Sequence, residues 1–377
     1  VRLTLIISSL QAGGAERVMA TMANYWSRKN CTITLLTLDD GSSPPFYDLD
    51  PGICHVPLGL LHHSRTTIAG LRNNLMRIHA IRRAIRKSEP DIIISFMDKT
   101  NIIVLLATRR LNIPVVVSEH TNPALCQIGK KWNWLRQLTY PFADLIVVLS
   151  KASFEYFSPE LQARTQVIPN PLAQPVIDAQ IANNALPRPS IIAMGRLSRE
   201  KGFDVLLRAF ARLTDQHRKW SLTILGEGPL RSELEHLRDS LNLSHRVFLP
   251  GRIRNPHEVL ACADLFAMPS RYEGFPMALC EAMACGLPVI CTECAGGDTE
   301  IVSDGYDGLL IPADNVDALT LAMDRLMCDE SERKRLGNRA HRVTERFAVE
   351  KVMTTWDCVL DRLVGKEHRI STNDLSA

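Results

Sequence analysis

The sequence carries almost no net charge. Its 44 Lys and Arg against 41 Asp and Glu leave +3 over 377 residues, so global electrostatics point to no nucleic acid or other charged partner. It has no apolar run of the ~18 residues that a membrane-crossing helix needs. The stretch from Val1 to Ile7 reads as a strand and lacks the shape of a signal peptide. A disulfide framework is missing too. The ten cysteines are scattered in apolar contexts such as Leu279-Cys280 and Ala284-Cys285, which suits reduced thiols in the cytoplasm. Cys291-Thr-Glu-Cys294 has neither the second pair of a structural zinc site nor the setting of a redox motif. The dinucleotide fingerprint G-x-G-x-x-G is absent: the first strand leads into Gln11-Ala-Gly-Gly-Ala-Glu-Arg17, whose adjacent Gly13 and Gly14 let backbone approach a ligand.

What is present is apolar and periodic. Apolar residues make up 46% of the chain, enough for two domains with their own cores. Short apolar runs predict strands at Leu3–Ile7, Thr32–Leu38, Ile53–Pro57, Ile92–Ser95, Val115–Ser118, Leu145–Leu149 and Gln166–Ile168, with helices between most of them. Pro169, Pro171, Pro175, Pro187 and Pro189 then mark a linker. A second series follows at Ile191–Met194, Ser221–Leu225, Val247–Leu249, Leu265–Met268, Val289–Cys291 and Leu309–Ile311. Strand–helix alternation predicts two parallel, doubly wound α/β domains. The expected division is 1–172, a linker 173–189, a second domain 190–348, and a C-terminal helix in 349–377 packing back on the first domain before a frayed tail.

Three stretches carry charge where open α/β sheets bind ligands, at strand carboxyl ends. Gly195-Arg-Leu-Ser-Arg-Glu-Lys-Gly202 places Arg196 and Lys201 about a turn within reach of one anion. In Pro269-Ser-Arg-Tyr-Glu-Gly-Phe-Pro-Met-Ala278, Pro276 suits the first position of a helix. Glu273 precedes that helix and Glu281 lies about two turns in, which suggests one acid for a sugar and one for a ribose. The amides of Phe275, Met277 and Ala278 would face a phosphate. Ser118-Glu-His-Thr121 ends a strand of the first domain, and Glu119 and His120 would both face a cleft there. Asp48-Leu-Asp50 matches the D-x-D of metal-dependent transferases but lies in a Pro-rich loop and reads as coincidence.

The phrase from Ser270 to Pro288 resembles the Glu, seven residues, Glu signature of the retaining glycosyltransferases of family four. The resemblance implies the GT-B fold, two Rossmann-like domains facing each other across a cleft. It extends over both halves: Gly13-Gly-Ala-Glu-Arg17, the Glu119-His120 pair, the Arg196 to Lys201 stretch, Gly226-Glu-Gly-Pro229, Leu249-Pro-Gly-Arg-Ile253 and Cys294-Ala-Gly-Gly-Asp-Thr-Glu-Ile301. It implies donor contacts at Gly13, Gly14, Gly226, Gly274 and Glu273, a base contact at Ile253, and a diphosphate site at Arg196 and Lys201. It places His120 by the reacting carbon of the donor sugar, and gives Gly297 and Glu300 a part in loop shape and a polar donor contact. His120, Glu273, Arg196 and Lys201 are the expected catalytic set. The implied activity is metal-independent transfer, with no cofactor, of a hexose or N-acetylhexosamine from a UDP-linked donor to a lipid-linked saccharide in polysaccharide or glycan assembly. A sugar-nucleotide epimerase of the same fold, and a nucleotide-binding membrane partner protein without turnover, remain alternatives.

Between Leu60 and Tyr140 the charge is uneven, with thirteen basic residues against four acidic ones. Leu71, Leu75, Ile78, Ile81 and Ile85 recur at helical spacing with Arg72, Arg82, Arg83 and Arg86 around them. Lys130, Lys131, Trp132 and Trp134 set two cations beside two aromatics. Such a surface fits anionic lipid at the inner face of the cytoplasmic membrane, and no nucleic-acid motif accompanies the charge. A solvated basic face over an ordinary core helix is the alternative.

Overall fold

The computed structural model describes residues 1–61, 67–126, 128–175, 187–294 and 298–373. Arg65, most of the expected linker and Gly297 lie outside the described residues. The chain divides into two compact units, Val1–Pro171 with Val349–Ala377, and Leu172–Ala348.

The first unit is built on seven parallel strands: β1 (Arg2–Ile7), β2 (Thr32–Thr37), β3 (Cys54–Pro57), β4 (Ile92–Phe96), β5 (Val115–Glu119), β6 (Leu145–Val148) and β7 (Thr165–Val167), in the order β3-β2-β1-β4-β5-β6-β7. The second has six parallel strands: β8 (Ser190–Met194), β9 (Ser221–Leu225), β10 (Val247–Gly251), β11 (Leu265–Met268), β12 (Val289–Glu293) and β13 (Leu309–Pro312), in the order β10-β9-β8-β11-β12-β13. The central strands are nearly unbroken Ile, Val and Leu because helices cover both faces of a parallel sheet. Both sheets reverse strand order once, between β1 and β4 and between β8 and β11. Crevices open there, at the carboxyl ends.

One device aligns the strands in both units. An aspartate just before a strand accepts the first amide of the neighbouring strand: Asp91 from Arg2 at 2.7 Å, Asp144 from Val115 at 2.8 Å, and Asp264 from Ser190 at 2.8 Å. Each carboxylate satisfies an amide that the ladder leaves over. The C-terminal helix Val349–Asn373 belongs to the first unit. Its Asp357 accepts hydrogen bonds from Trp26 Nε1 at 2.9 Å, Tyr25 at 3.1 Å and Lys29 at 2.8 Å, and Trp356 meets Trp26 edge-on.

Candidate functional site

The crevice of the second sheet is framed by the loops that leave β8 and β11. The β8 loop carries Arg196 and Lys201, and the β11 loop carries Glu273. Lys201 Nζ meets Glu273 Oε1 at 2.6 Å, and Ser270 donates to the same oxygen at 2.7 Å. Both contacts fall on Oε1 of the carboxylate. Glu273 is 9% exposed. A charge-assisted pair in so dry a place holds both groups in one geometry. Arg196 is exposed on the same loop.

The loops approach this closely because of Gly202. Its φ is +64°, and a Cβ there would stand 2.0 Å from the carbonyl oxygen of Pro269. Gly226, with φ +142°, does the same for the β9 loop, where a Cβ would stand 1.9 Å from the Gly195 oxygen.

Arg271 ties the two loops together. Its amide donates to Glu200 O at 2.7 Å and its Nη1 to Arg199 O at 2.6 Å. It also grips both oxygens of Asp204, at 3.0 and 2.9 Å, and meets Asp314 at 2.6 Å. Arg271 was visible in the sequence motif, but nothing local marks it as a clamp, since all its partners are distant in sequence. Arg271→Lys keeps the charge and loses the fork. Turnover should fall roughly ten- to hundredfold, as for small misplacements of catalytic groups. Steady-state kinetics on a short acceptor, beside a melting curve, check this.

The sequence put Pro276 at the first helical position. The helix runs Met277–Ala284 instead, and Pro276 caps it, with ψ 84° and its carbonyl accepting from the Leu279 and Cys280 amides. The first-turn amides of Met277 and Ala278 then have no acceptor a turn back within the helix. The side chains of Phe275 and Met277 are buried, so these residues can present only backbone. Gly274 and Ala278 are half-buried. Glu281 is 3% exposed. Burial, and then the Glu281 charge, push the Cys285 thiol up to about 12. Ile253, half-buried, follows β10. Glu300 is exposed on the short helix Asp298–Ile301.

In the first unit Gly13 and Gly14 lie at the start of the helix Gly14–Arg28. The Tyr47 hydroxyl receives the Gly13 amide at 3.3 Å and donates to its carbonyl at 3.1 Å. Asp50 shapes the adjoining turn: its Oδ1 accepts from Ser27 and Gly52, each at 2.9 Å, so the D-x-D aspartate serves the local fold.

Glu119 and His120 do not share a face. Successive strand residues point to opposite sides, and Glu119 turns inward, 1% exposed. It accepts from the Tyr140 hydroxyl and lies 3.5 Å from the buried Arg136 Nε. The expectation that it faces a cleft is therefore corrected. Burial pushes its carboxyl up to about 7, with Arg136 and Tyr140 pulling the other way. His120 stacks on Phe96 at 4.0 Å between ring centres, with Nε2 3.2 Å from the Ser118 hydroxyl. Burial pushes its imidazole down to about 3, which leaves the ring neutral near pH 7.

A carboxyl raised this way in the fold gives stability that is complete below its unfolded pKa and is lost as pH rises through about 7. Arg136→Leu removes the main counter-charge. Its cost should be small near pH 6, where Glu119 takes a proton, and approach the roughly 3–5 kcal/mol of a broken buried pair near pH 9. Urea midpoints at the two pH values check this.

The basic region is only partly a free surface. On the helix Thr67–Ser88, Ile81 and Ile85 are buried, and Arg72, Arg83 and Arg86 are exposed. Leu75, expected in the same apolar stripe, is 51% exposed. Arg82 Nη1 donates to the carbonyls of Ala107 and Arg109, at 2.7 and 2.8 Å, at the end of the helix Asp98–Thr108. Lys130, Lys131 and Trp134 are exposed, while Trp132 is half-buried against the core with Lys99 over its ring. No helix among the described residues is long and apolar enough to cross a membrane.

Two parallel-sheet Rossmann-like units with these motifs at their strand ends define a GT-B glycosyltransferase. Residues 12–173 match the family "Glycosyltransferase Family 4" and residues 177–343 the family "Glycosyl transferases group 1". The chain is 30% identical over 371 residues to the N-acetylgalactosamine-N,N'-diacetylbacillosaminyl-diphospho-undecaprenol 4-alpha-N-acetylgalactosaminyltransferase of Campylobacter jejuni, covering 95% of this chain and 98% of that one. It is 24% identical over 367 residues to an amylovoran biosynthesis glycosyltransferase of Erwinia amylovora, covering 95% and 99%. Sucrose-phosphate synthase of Thermosynechococcus elongatus superposes with a TM-score of 0.84 at 22% identity, covering 97% and 99%. An Anabaena protein solved with UDP and glucose superposes with 0.76 at 20%, covering 95% and 99%. The chain belongs to the group 1 glycosyl transferases.

Proposed function

We propose that the protein is a retaining glycosyltransferase that moves a hexose or N-acetylhexosamine from a UDP-linked donor to a lipid-linked saccharide. The Lys201–Glu273 pair at the switch point of the second sheet carries the reading. An ammonium beside a helix N-terminus suits a diphosphate, and the Glu273 oxygen beyond the pair suits a sugar hydroxyl. In this reading Lys201 and Arg196 offset the charge that grows on the leaving diphosphate. Neutral His120 offers a polar edge to the sugar without adding charge of its own. Glu281 accepts from the ribose. The Anabaena complex supports UDP as nucleotide, and the Campylobacter relative supports an acceptor linked through diphosphate to a polyprenol.

The assay is a panel of UDP-sugars with an undecaprenyl-diphosphate-linked saccharide in vesicles, and the anomer of the product is read by NMR. Transfer with retention is expected, in EDTA as without it. Inversion, or activity lost in EDTA and restored by magnesium or manganese, would overturn the corresponding part. Steady formation of an epimer without acceptor would favour an epimerase. Glu281→Gln should weaken nucleotide binding by roughly 1.5–3 kcal/mol, the usual worth of a charged hydrogen bond. Calorimetric titration with UDP measures it, and unchanged affinity with lost turnover would contradict the ribose assignment.

The membrane belongs to the same proposal. At about 100° per residue, Arg72, Met76, His79, Arg83, Arg86 and Lys87 share the face opposite Ile81 and Ile85. Met76 is 44% exposed among those cations, and Trp134 is 60% exposed beside Lys130 and Lys131. Cations mixed with exposed apolar side chains suit the interface of an anionic bilayer.

A further inference from the structure

The second unit has another cluster of chemically distinct donors, remote from the crevice in the order of its elements. Asp324 and Cys328 stand one turn apart near the end of the helix Val316–Cys328, so they share a face. His217 faces them from the segment between the helix Phe203–Ala211 and β9. His217 Nε2 lies 2.7 Å from Asp324 Oδ1, and Cys328 Sγ lies 4.0 Å from that nitrogen and 3.8 Å from that oxygen. We propose that His217, Asp324 and Cys328 form a zinc-type metal site, with one imidazole nitrogen, one carboxylate oxygen and one thiolate, and a fourth position open to water.

The geometry asks for little movement. Zinc bonds of about 2.0–2.3 Å in a tetrahedron put these donors about 3.3–3.6 Å apart. The nitrogen and oxygen must separate by about 0.6 Å, and the sulfur must approach each by about 0.2–0.5 Å. A bare hydrogen-bonded His–Asp pair needs no cysteine, whereas here the thiol sits across both atoms. The histidine is held for the purpose. Its amide donates to Leu213 O at 2.8 Å, and its carbonyl accepts from Trp220 N at 3.1 Å and from Arg246. Its side chain is only 9% exposed, while Asp324 is 35% exposed and Cys328 lies at the surface, leaving an entry path. Nitrogen, oxygen and sulfur together suit zinc or cobalt, not magnesium or calcium. Binding would release the thiol proton, because the thiolate is the ligand.

Topology separates this site from the transfer chemistry. The helices that cross between parallel strands run back toward the strands' amino ends. His217 comes just before β9, and Asp324 and Cys328 come at the end of a returning helix, so all three lie at the amino edge. Lys201 and Glu273 lie at the carboxyl edge. The metal would pin the helix Val316–Cys328 to the His217 segment and stabilise the unit without entering the reaction.

The test uses the full chain, stripped of metal and kept reduced by a phosphine. Cobalt(II) is titrated under the spectrometer, and melting is followed with zinc or magnesium. One equivalent of cobalt should give a thiolate charge-transfer band. Zinc should raise the melting temperature and magnesium should not, and turnover should not depend on zinc. Cys328→Ser should abolish the band and weaken zinc at least about tenfold, as expected when one ligand of a site is lost. Asp324→Asn, which keeps the thiol, should also weaken zinc. Cys328 is a surface residue, so its variant should melt like the metal-free wild type. No band, an equal band in Cys328→Ser, or a zinc shift equal in wild type and both variants would overturn the site and leave an ordinary His–Asp hydrogen bond.

Discussion

Lys201→Ala should lower turnover about a hundred- to a thousandfold, the usual loss when one preorganised group facing transition-state charge is removed. The expectation follows from where Lys201 is held. Its ammonium sits 2.6 Å from Glu273 Oε1, at the point where strand order reverses. Glu273 is buried and has Ser270 as its other partner on that oxygen, so the variant also leaves a poorly compensated carboxylate. Some loss of stability should therefore accompany the loss of rate. Lys201→Arg should not rescue fully, because a planar fork does not replace a compact ammonium in a site this tight. The measurement is kcat on a short soluble acceptor, with the melting temperature beside it. Glu273→Gln on the Lys201→Ala background separates the two effects. It should recover stability and not rate. A fall in kcat of less than tenfold for Lys201→Ala would show that the leaving diphosphate is stabilised elsewhere.

Much of the fold could be read from the sequence, for a physical reason. Parallel strands buried on both faces are short apolar runs, and each of the thirteen strands overlaps a predicted one within about two residues at either end. Loops that follow neighbouring strands meet at one sheet edge, so the approach of the β8 loop with Arg196 and Lys201 to the β11 loop with Glu273 could be expected from position alone. What could not be read is contact between residues far apart in the chain. The clamp from Arg271 to Asp204 and Asp314 spans distant segments. So does the inward turn of Glu119 onto Arg136 and Tyr140, although strict alternation along β5 could have warned that Glu119 and His120 would not face one way. The strand-aligning aspartates did leave a signal. Pro90-Asp-Ile, Ala143-Asp-Leu and Ala263-Asp-Leu each put a lone acid directly before an apolar strand. On the basic helix, apolar period and burial part company. Leu75 keeps the period and is exposed, while Arg82 looks like its neighbours and is tied to carbonyls at the end of the next helix.

That distinction sets the choice of residues for the second large effect. Replacing Arg72, Arg83, Arg86 and Lys87 together by glutamine should release the protein from anionic vesicles, with Arg82 left in place because it serves the fold. The four share one exposed face of the helix Thr67–Ser88. Each basic group near an anionic surface contributes about 1 kcal/mol, so four give roughly 4 kcal/mol before crowding reduces it. That corresponds to roughly a thousandfold in the partition constant. Salt should act in the same direction on the wild type, since charges at a surface are screened over about 8 Å at physiological ionic strength. Trp134→Ala should weaken binding further in a salt-independent way, because its contribution is apolar. Co-sedimentation with vesicles measures all three. Lys201 and Glu273 belong to the other unit, so turnover on a short soluble acceptor should hardly change, while turnover on a lipid-linked acceptor in vesicles should fall steeply. Unchanged sedimentation would reduce the arginines to a solvated face. Equal losses on both acceptors would mean that these side chains hold the acceptor's diphosphate or the fold, and not the bilayer.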